Sequence, residues 1–182
     1  LMKSVEGIIL KKSPRREADV VITAYTKELG LTHFRARGVR KQESKLRSGL
    51  NVFNWSEIYF APSRYLPIVT ETKTKNNLAG LRSNLYRLKL AQAAALVLDE
   101  TLAPGVADEK IWHEVSGLFS GLNDKKLSHS ELENRIYVFC HNLLVLNGLM
   151  PHLAGSGVAA DLRREVQDFF GYHFGLELAK LL

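Results

Sequence analysis

A single cysteine in 182 residues, Cys140, leaves no partner for an intrachain disulfide and no ligand set for a cysteine-rich zinc site. A secreted disulfide scaffold and the usual zinc fingers are thereby excluded. Long apolar runs are also missing, since stretches such as Ala93 to Leu98 stop far short of the roughly 20 residues a membrane span needs. The opening Leu1-Met2-Lys3-Ser4 leads into a strand-like segment rather than a signal peptide's apolar region, so a soluble, cytoplasmic protein is expected. Catalytic signatures are scarce: there is no phosphate-binding glycine loop, no His-Glu-x-x-His, no nucleophile elbow and no close carboxylate pair in a recognisable setting. Cys140 and His141 are neighbours, about 100° apart on a helix, so they make no dyad and Cys140 reads as a core thiol. His113, His129, His152 and His173 are isolated from one another along the chain. No catalytic residue, metal site or cofactor is expected, and the chain does not read as an enzyme.

What is present is an apolar fraction of 46%, enough to bury a core, in a chain with room for one large domain or two small ones. Charge is distributed unevenly. Residues 1–82 hold 16 Lys+Arg against 7 Asp+Glu, whereas residues 83–182 hold 9 against 12. A basic segment of that size has the footprint of a polyanion binder, because each neutralised phosphate releases condensed counterions. Anionic lipid is a competing use of the same charge.

The periodicity changes along with the charge. Val5 to Leu10, Ala18 to Thr26, Leu31 to Val39, Val52 to Phe60 and Leu66 to Thr74 are short runs rich in β-branched and aromatic residues, a small barrel's worth of strands. Gly30 closes the hairpin between the second and third, Pro14 breaks the first from the second, and Arg40 to Arg47 reads as an exposed loop. From Asn77 the spacing turns helical: Leu78, Leu81, Leu85, Leu88, Gln92 and Leu96 form the stripe of one helix running to about Leu102. Further helices are expected over Asp108 to Leu122, over Ser130 to Leu146 with Ser130 and Glu133 as a capping box, and over Ala160 to Leu181 with Leu162, Val166, Phe169, His173 and Leu176 facing inward. Gly148 and Pro151 stop the third of these helices, and Ala154 to Gly157 reads as a flexible loop. The fold class is therefore α+β, a five-stranded barrel over residues 1–76 followed by a helical domain over residues 77–182.

Strand alternation puts His33, Arg35 and Arg37 on one face of the third strand and Phe34 in the barrel. Arg40, Lys41, Lys45 and Arg47 extend that basic face, and Lys11, Lys12, Arg15 and Arg16 make a second cluster at the end of the first strand. These residues are candidates for holding phosphates. A solvated basic face is the competing reading. Among the aromatics, Phe53, Trp55 and Tyr59 share the phase of a half-buried strand, while Tyr65, beside Arg64 in the Pro62 to Pro67 turn, is the best placed to stack a base.

At these residues the sequence resembles RecO, the bacterial recombination mediator family. Val5-Glu6-Gly7-Ile8-Ile9-Leu10, Glu17-Ala18-Asp19, the Thr26 to Gly30 hairpin and Gly38-Val39-Arg40-Lys41 with Ser44-Lys45 carry the likeness, followed by Leu143-Leu144, Gly148, Pro151 and Arg163 to Leu178. The resemblance implies an N-terminal OB-fold barrel and a helical domain. It implies binding and annealing of single- and double-stranded DNA, loading of RecA with RecR onto DNA coated by single-strand-binding protein, and a place at the nucleoid. It also implies that the helical domain receives the acidic C-terminal tail of single-strand-binding protein, with Arg135 as a candidate contact. The four-cysteine zinc module of many relatives is absent from this sequence, and Arg37 stands where the family's motif has Lys. A protein-interaction or RNA-binding module without annealing activity is the alternative, and a nuclease comes third.

Overall fold

A computed structural model describes residues 2–15, 17–39, 44–150 and 159–181. Among these the order is β1 (Lys3–Arg15), β2 (Asp19–Thr26), β3 (Gly30–Ala36), α1 (Leu46–Gly49), β4 (Trp55–Ala61), β5 (Ile68–Asn76), α2 (Ala79–Arg82), α3 (Leu85–Thr101), α4 (Glu109–Asn123), α5 (His129–Leu146), α6 (Ala159–Phe174) and α7 (Leu178–Leu181). Two compact units result: residues 1–78 with 102–112, and residues 79–101 with 113–182. No described helix is long and apolar enough to cross a membrane.

The first unit is a closed barrel in the order β1-β2-β3-β5-β4, the OB arrangement of an N-terminal five-stranded barrel ahead of helices. All the strand pairings are antiparallel except the short parallel one between β3 and β5. Val5, Ile9, Val20, Ile22, Ala24, Phe34, Ala36, Ile58, Phe60 and Val69 fill the interior, and Phe34 meets the Phe60 ring edge-on at 5.4 Å.

Three strand-region expectations need correction. Pro14 does not break β1, which pairs through to Arg15. Beyond Ile8 the strand is registered only with β2, so a residue that donates no N–H is tolerated there as on a sheet edge. The stretch Arg40 to Arg47 is not all loop, because it ends in α1, whose Leu46 packs on the barrel core. In β4 the buried phase is Ser56, Ile58 and Phe60, with Trp55 and Tyr59 facing outward. Phe53 precedes the strand, buried, with a positive φ of 66° that resets the alternation.

Residues 102–112 lie on the outside of this barrel. The Gly105 N–H donates to the Leu31 carbonyl at 2.8 Å, and Trp112 stacks on Tyr25 (6.4 Å, 13°) while meeting Trp55 edge-on at 5.6 Å. Burial, with the Asp108 carboxylate nearby, pushes the Tyr25 phenol up to about 12. At Gly30 (φ +65°) any Cβ would fall onto the Val106 carbonyl. Gly30→Ala should therefore destabilise the barrel by about 2–3 kcal/mol through combined strain and loss of that close approach. Chemical denaturation followed by tryptophan fluorescence checks this, and a loss under about 0.5 kcal/mol would refute it.

In the second unit the helix expected from Leu78 to Leu102 is two helices. Asn84 ends the first stretch and caps the next, its side-chain oxygen accepting from the Arg87 N–H at 3.2 Å. The break shifts the phase. Leu85 is 72% exposed, and the buried face of α3 is Arg87, Leu90, Ala91, Ala94, Val97 and Leu98 rather than the Leu88-Gln92-Leu96 stripe. Helix α4 is capped by Asp108, which accepts from Lys110 and Ile111 N–H. The capping box of α5 is Ser128 with Glu131, two residues before the expected pair. Gly148, at φ +69°, follows the end of α5. The terminal helix ends at Phe174 with Gly175 (φ +64°) before α7, and Val166 and Phe170 are its fully buried residues, with His173 exposed. Cys140 is fully buried, and burial pushes its thiol up to about 12. It is a core residue.

Candidate nucleic-acid interface

In an antiparallel ladder, directly opposed residues project to the same face. Since Val20, Ile22 and Ala24 of β2 point into the core, Asp19, Val21, Thr23 and Tyr25 point outward. Lys11 opposes Thr23, which opposes His33; Ser13 opposes Val21, which opposes Arg35; Arg15 opposes Asp19. Lys11, Arg15, His33 and Arg35 therefore share one outer face spanning β1, β2 and β3, and Arg37, exposed, follows β3. The Thr23 hydroxyl and His33 Nδ1 are 3.0 Å apart on this face.

Asp19 organises the end of the patch. Its Oδ2 accepts from Arg35 Nε at 3.1 Å and Nη2 at 2.6 Å, and its Oδ1 accepts from the Gly38 N–H at 3.1 Å. The Arg35 guanidinium, then the Gly38 amide, then Arg37 hold the Asp19 carboxyl below the ordinary carboxylate range. A group depressed in the folded state stabilises at every pH above its unfolded value and loses that contribution on acidification. The Asp19 tie is thus complete above about pH 4 and fades only below it.

The Pro62 to Pro67 turn joins the same region, because the Arg35 N–H donates to the Pro67 carbonyl at 2.8 Å. Tyr65 is 81% exposed there, with the Arg64 guanidinium 5.6 Å from its ring centre.

Lys12 stands apart from Lys11. It opposes Ile22 in the inward phase, is half-buried, and is pushed below the ordinary lysine range by burial and then by the Arg47 charge. Arg47 and Lys45 are exposed at α1. The expected cluster at the end of β1 is thus divided by the pleat between two surfaces. Arg16, Arg40 and Lys41 lie outside the described residues, as do Pro151 and Ala154 to Gly157.

The aromatic candidates on β4 and just before it are already engaged or buried. Phe53 is in the core, and Trp55 packs on Trp112 while its indole N–H donates to Glu6 at 2.7 Å. Tyr59 sits beside Glu57, whose carboxylate holds the phenol above its ordinary range, with Glu71 adding to the effect. Strands β4 and β5 carry Glu57 and Glu71 together with Lys73 and Lys75, the last paired with Glu6 at 2.6 Å, so charge is mixed there, whereas the β1–β2–β3 face sets Lys11, Arg15 and Arg35 against Asp19.

The helical unit carries a separate pocket of about 510 Å³, with Leu118, Leu127, Val138 and Phe139 as apolar lining and Arg135 among its polar residues. The Arg135 guanidinium lies against Gly121, where a Cβ would come within 2.9 Å of it. Glu131 and Glu114 also line the pocket, but the former serves the α5 cap and the latter accepts from Asn142 at 3.1 Å.

Two residues escaped sequence reading. Asp19 was visible only as part of a motif, and an acid amid arginines signals an oriented guanidinium. Arg87 was hidden in an apolar helix, yet it is 6% exposed and donates to the carbonyls of Leu122, Asp124 and Leu127 at 2.8, 2.8 and 2.9 Å.

Residues 2–78 match the family described as Recombination protein O N terminal. The chain is also similar to curated proteins named DNA repair protein RecO. The one from Desulforamulus reducens is 29% identical over 97% of this chain and 67% of the relative. Those from Alkaliphilus metalliredigens and Rubrobacter xylanophilus are 26% and 28% identical over 84% and 82% of this chain, covering 61% and 58% of the relatives. The chain spans about two thirds or less of the length of these relatives.

Proposed function

From the match of residues 2–78 to the RecO N-terminal family and the similarity of most of the chain to RecO proteins, we propose that it serves DNA repair and recombination as a DNA-binding mediator rather than as a catalyst. The observation that carries this reading is the outer β1–β2–β3 face, where Lys11, Arg15, Arg35 and Arg37 gather beside the exposed Arg64–Tyr65 turn. Cations on a rigid barrel wall neutralise phosphates without reading base edges, so binding is weakly dependent on sequence. Lowering the charge of two strands on one surface removes the repulsion that keeps them apart, which is the physical basis for annealing. Tyr65 supplies a ring for stacking.

On the family pattern, RecR and the tail of single-strand-binding protein are the partners, and RecA loading in the cytoplasm at the nucleoid is the outcome. The Arg135 pocket is the candidate for such a tail: the guanidinium stands beside Leu118, Val138 and Phe139, with Glu114 and Glu131 in the same lining opposing an acidic peptide.

Fluorescence anisotropy with labelled single-stranded and duplex DNA over a salt series, with strand annealing followed on the same protein, tests the reading. Log affinity should fall linearly with log salt, with a slope of about −2 to −4 for single strands, and annealing should accelerate. Absence of binding at low salt would refute it, and preference for RNA or an acidic peptide at equal salt would move the function to the interaction-module class.

A further inference from the structure

An acid placed within a phosphate-binding face weakens the field that attracts phosphate, and Asp19, at the end of the basic patch, is such an acid. Its carboxylate collects the Arg35 guanidinium through Nε and Nη2 and the N–H of Gly38, a residue at φ +65°; it also lies in the field of Arg37 and directly opposes Arg15 across the ladder. A guanidinium fork, a backbone N–H at a left-handed turn and further cations form the donor set that proteins use for an oxyanion. The site is reachable from solvent, with the Arg35 and Asp19 side chains 24% and 16% exposed.

We propose that Arg35, Arg37 and the Gly38 amide form a phosphate site that Asp19 occupies in the free protein, and that a nucleic-acid phosphate enters by displacing this carboxylate. The inference rests on the DNA-binding reading and deepens it. Exchange of one anion for another leaves the donors satisfied in both states, so the arginine is held in place before DNA arrives and is not left uncompensated after DNA leaves. It also sets a threshold. An isolated phosphate competes poorly with a tethered carboxylate, whereas a phosphate delivered by a strand already held at Lys11 and Arg15 enters at high effective concentration.

Asp19→Asn tests this, because the amide oxygen still accepts from Gly38 while the ion pair with Arg35 is gone. Binding of a labelled single-stranded oligonucleotide should tighten about threefold to tenfold with the salt slope nearly unchanged, because the phosphate contact forms in both proteins and only the competing carboxylate is removed. In an Arg35→Ala background the same change should have no effect. Thermal melts establish that each variant folds, with Asp19→Ser as the second variant if the amide is not tolerated. Unchanged or weaker binding by a folded Asp19 variant would overturn the proposal, since a carboxylate that merely positions Arg35 gives that result.

A second measurement separates this inference from the DNA reading: inorganic phosphate is titrated while the Gly38 amide and Arg35 Nε resonances are followed. If the unaltered chain fails to bind oligonucleotide, the DNA reading falls, and the phosphate titration decides the site by itself. Shifts that are larger in Asp19→Asn than in the unaltered chain uphold the proposal, and their absence overturns it.

Discussion

Replacing Lys11, Arg15 and Arg37 together with alanine should weaken single-stranded DNA binding by about two orders of magnitude near 0.1 M salt and flatten the salt slope by about 2, with no change in preference among sequences. The three lie on or beside the outer β1–β2–β3 face, each exposed, so their loss removes about three phosphate contacts while the barrel core stays intact. Lys73→Ala is the matched control. It removes one cation from β5, on the side of the barrel that also carries Glu57 and Glu71, and should leave affinity within about twofold. A salt series by anisotropy decides between them. An unchanged slope in the folded triple variant would mean that the phosphates are held elsewhere.

The largest effect on stability is expected at Arg87. Its side chain reaches three carbonyls where α4 ends and the chain turns into α5, adding donors at a helix C-terminus where the Asp124 oxygen also accepts from the Leu127 N–H at 3.3 Å. Arg87→Ala should cost the helical unit about 3 kcal/mol, because the carbonyls lose charged donors and a buried side chain is removed. Arg87→Lys should recover less than half, since one ammonium cannot reproduce a planar fork spread over three acceptors. Urea unfolding followed by far-ultraviolet circular dichroism measures both. A cost under about 1 kcal/mol for Arg87→Ala would show that the carbonyls are satisfied without it.

Much of the fold was legible because two periods alternate cleanly. β-branched runs punctuated by Gly30 placed five strands, and Phe34 was assigned inward from alternation and is fully buried. Where the reading went astray, the cause was local chemistry overriding a pattern. Leu85 fits a helical stripe on paper, but Asn84 caps a new helix and turns the stripe away. Two Ser-x-x-Glu pairs overlap at the start of α5, and spacing alone does not say which one caps. Gly175 ends a helix that its apolar residues would have continued to Leu181.

The candidate interface was legible as charge and illegible as surface. Lys11 and Lys12 are adjacent in the chain, yet the pleat sends one outward with Thr23 and the other inward with Ile22. That Arg35 is paired with Asp19, 16 positions away, depends on the register between β2 and β3, which no local window contains. The same holds for Arg135, whose guanidinium lies where Gly121, on a different helix, has no Cβ.

The packing of Trp112 on Tyr25 and against the edge of Trp55 has an optical consequence. The chain contains two tryptophans, and both sit in this one aromatic nest on the barrel. Indole emission therefore reports on the barrel unit and its 102–112 strap, while the ellipticity at 222 nm is dominated by α3 to α6. Unfolding curves recorded at the two wavelengths follow different halves of one polypeptide. Superimposable curves would mark a single cooperative transition, and separated ones would give each half its own midpoint without any label being attached.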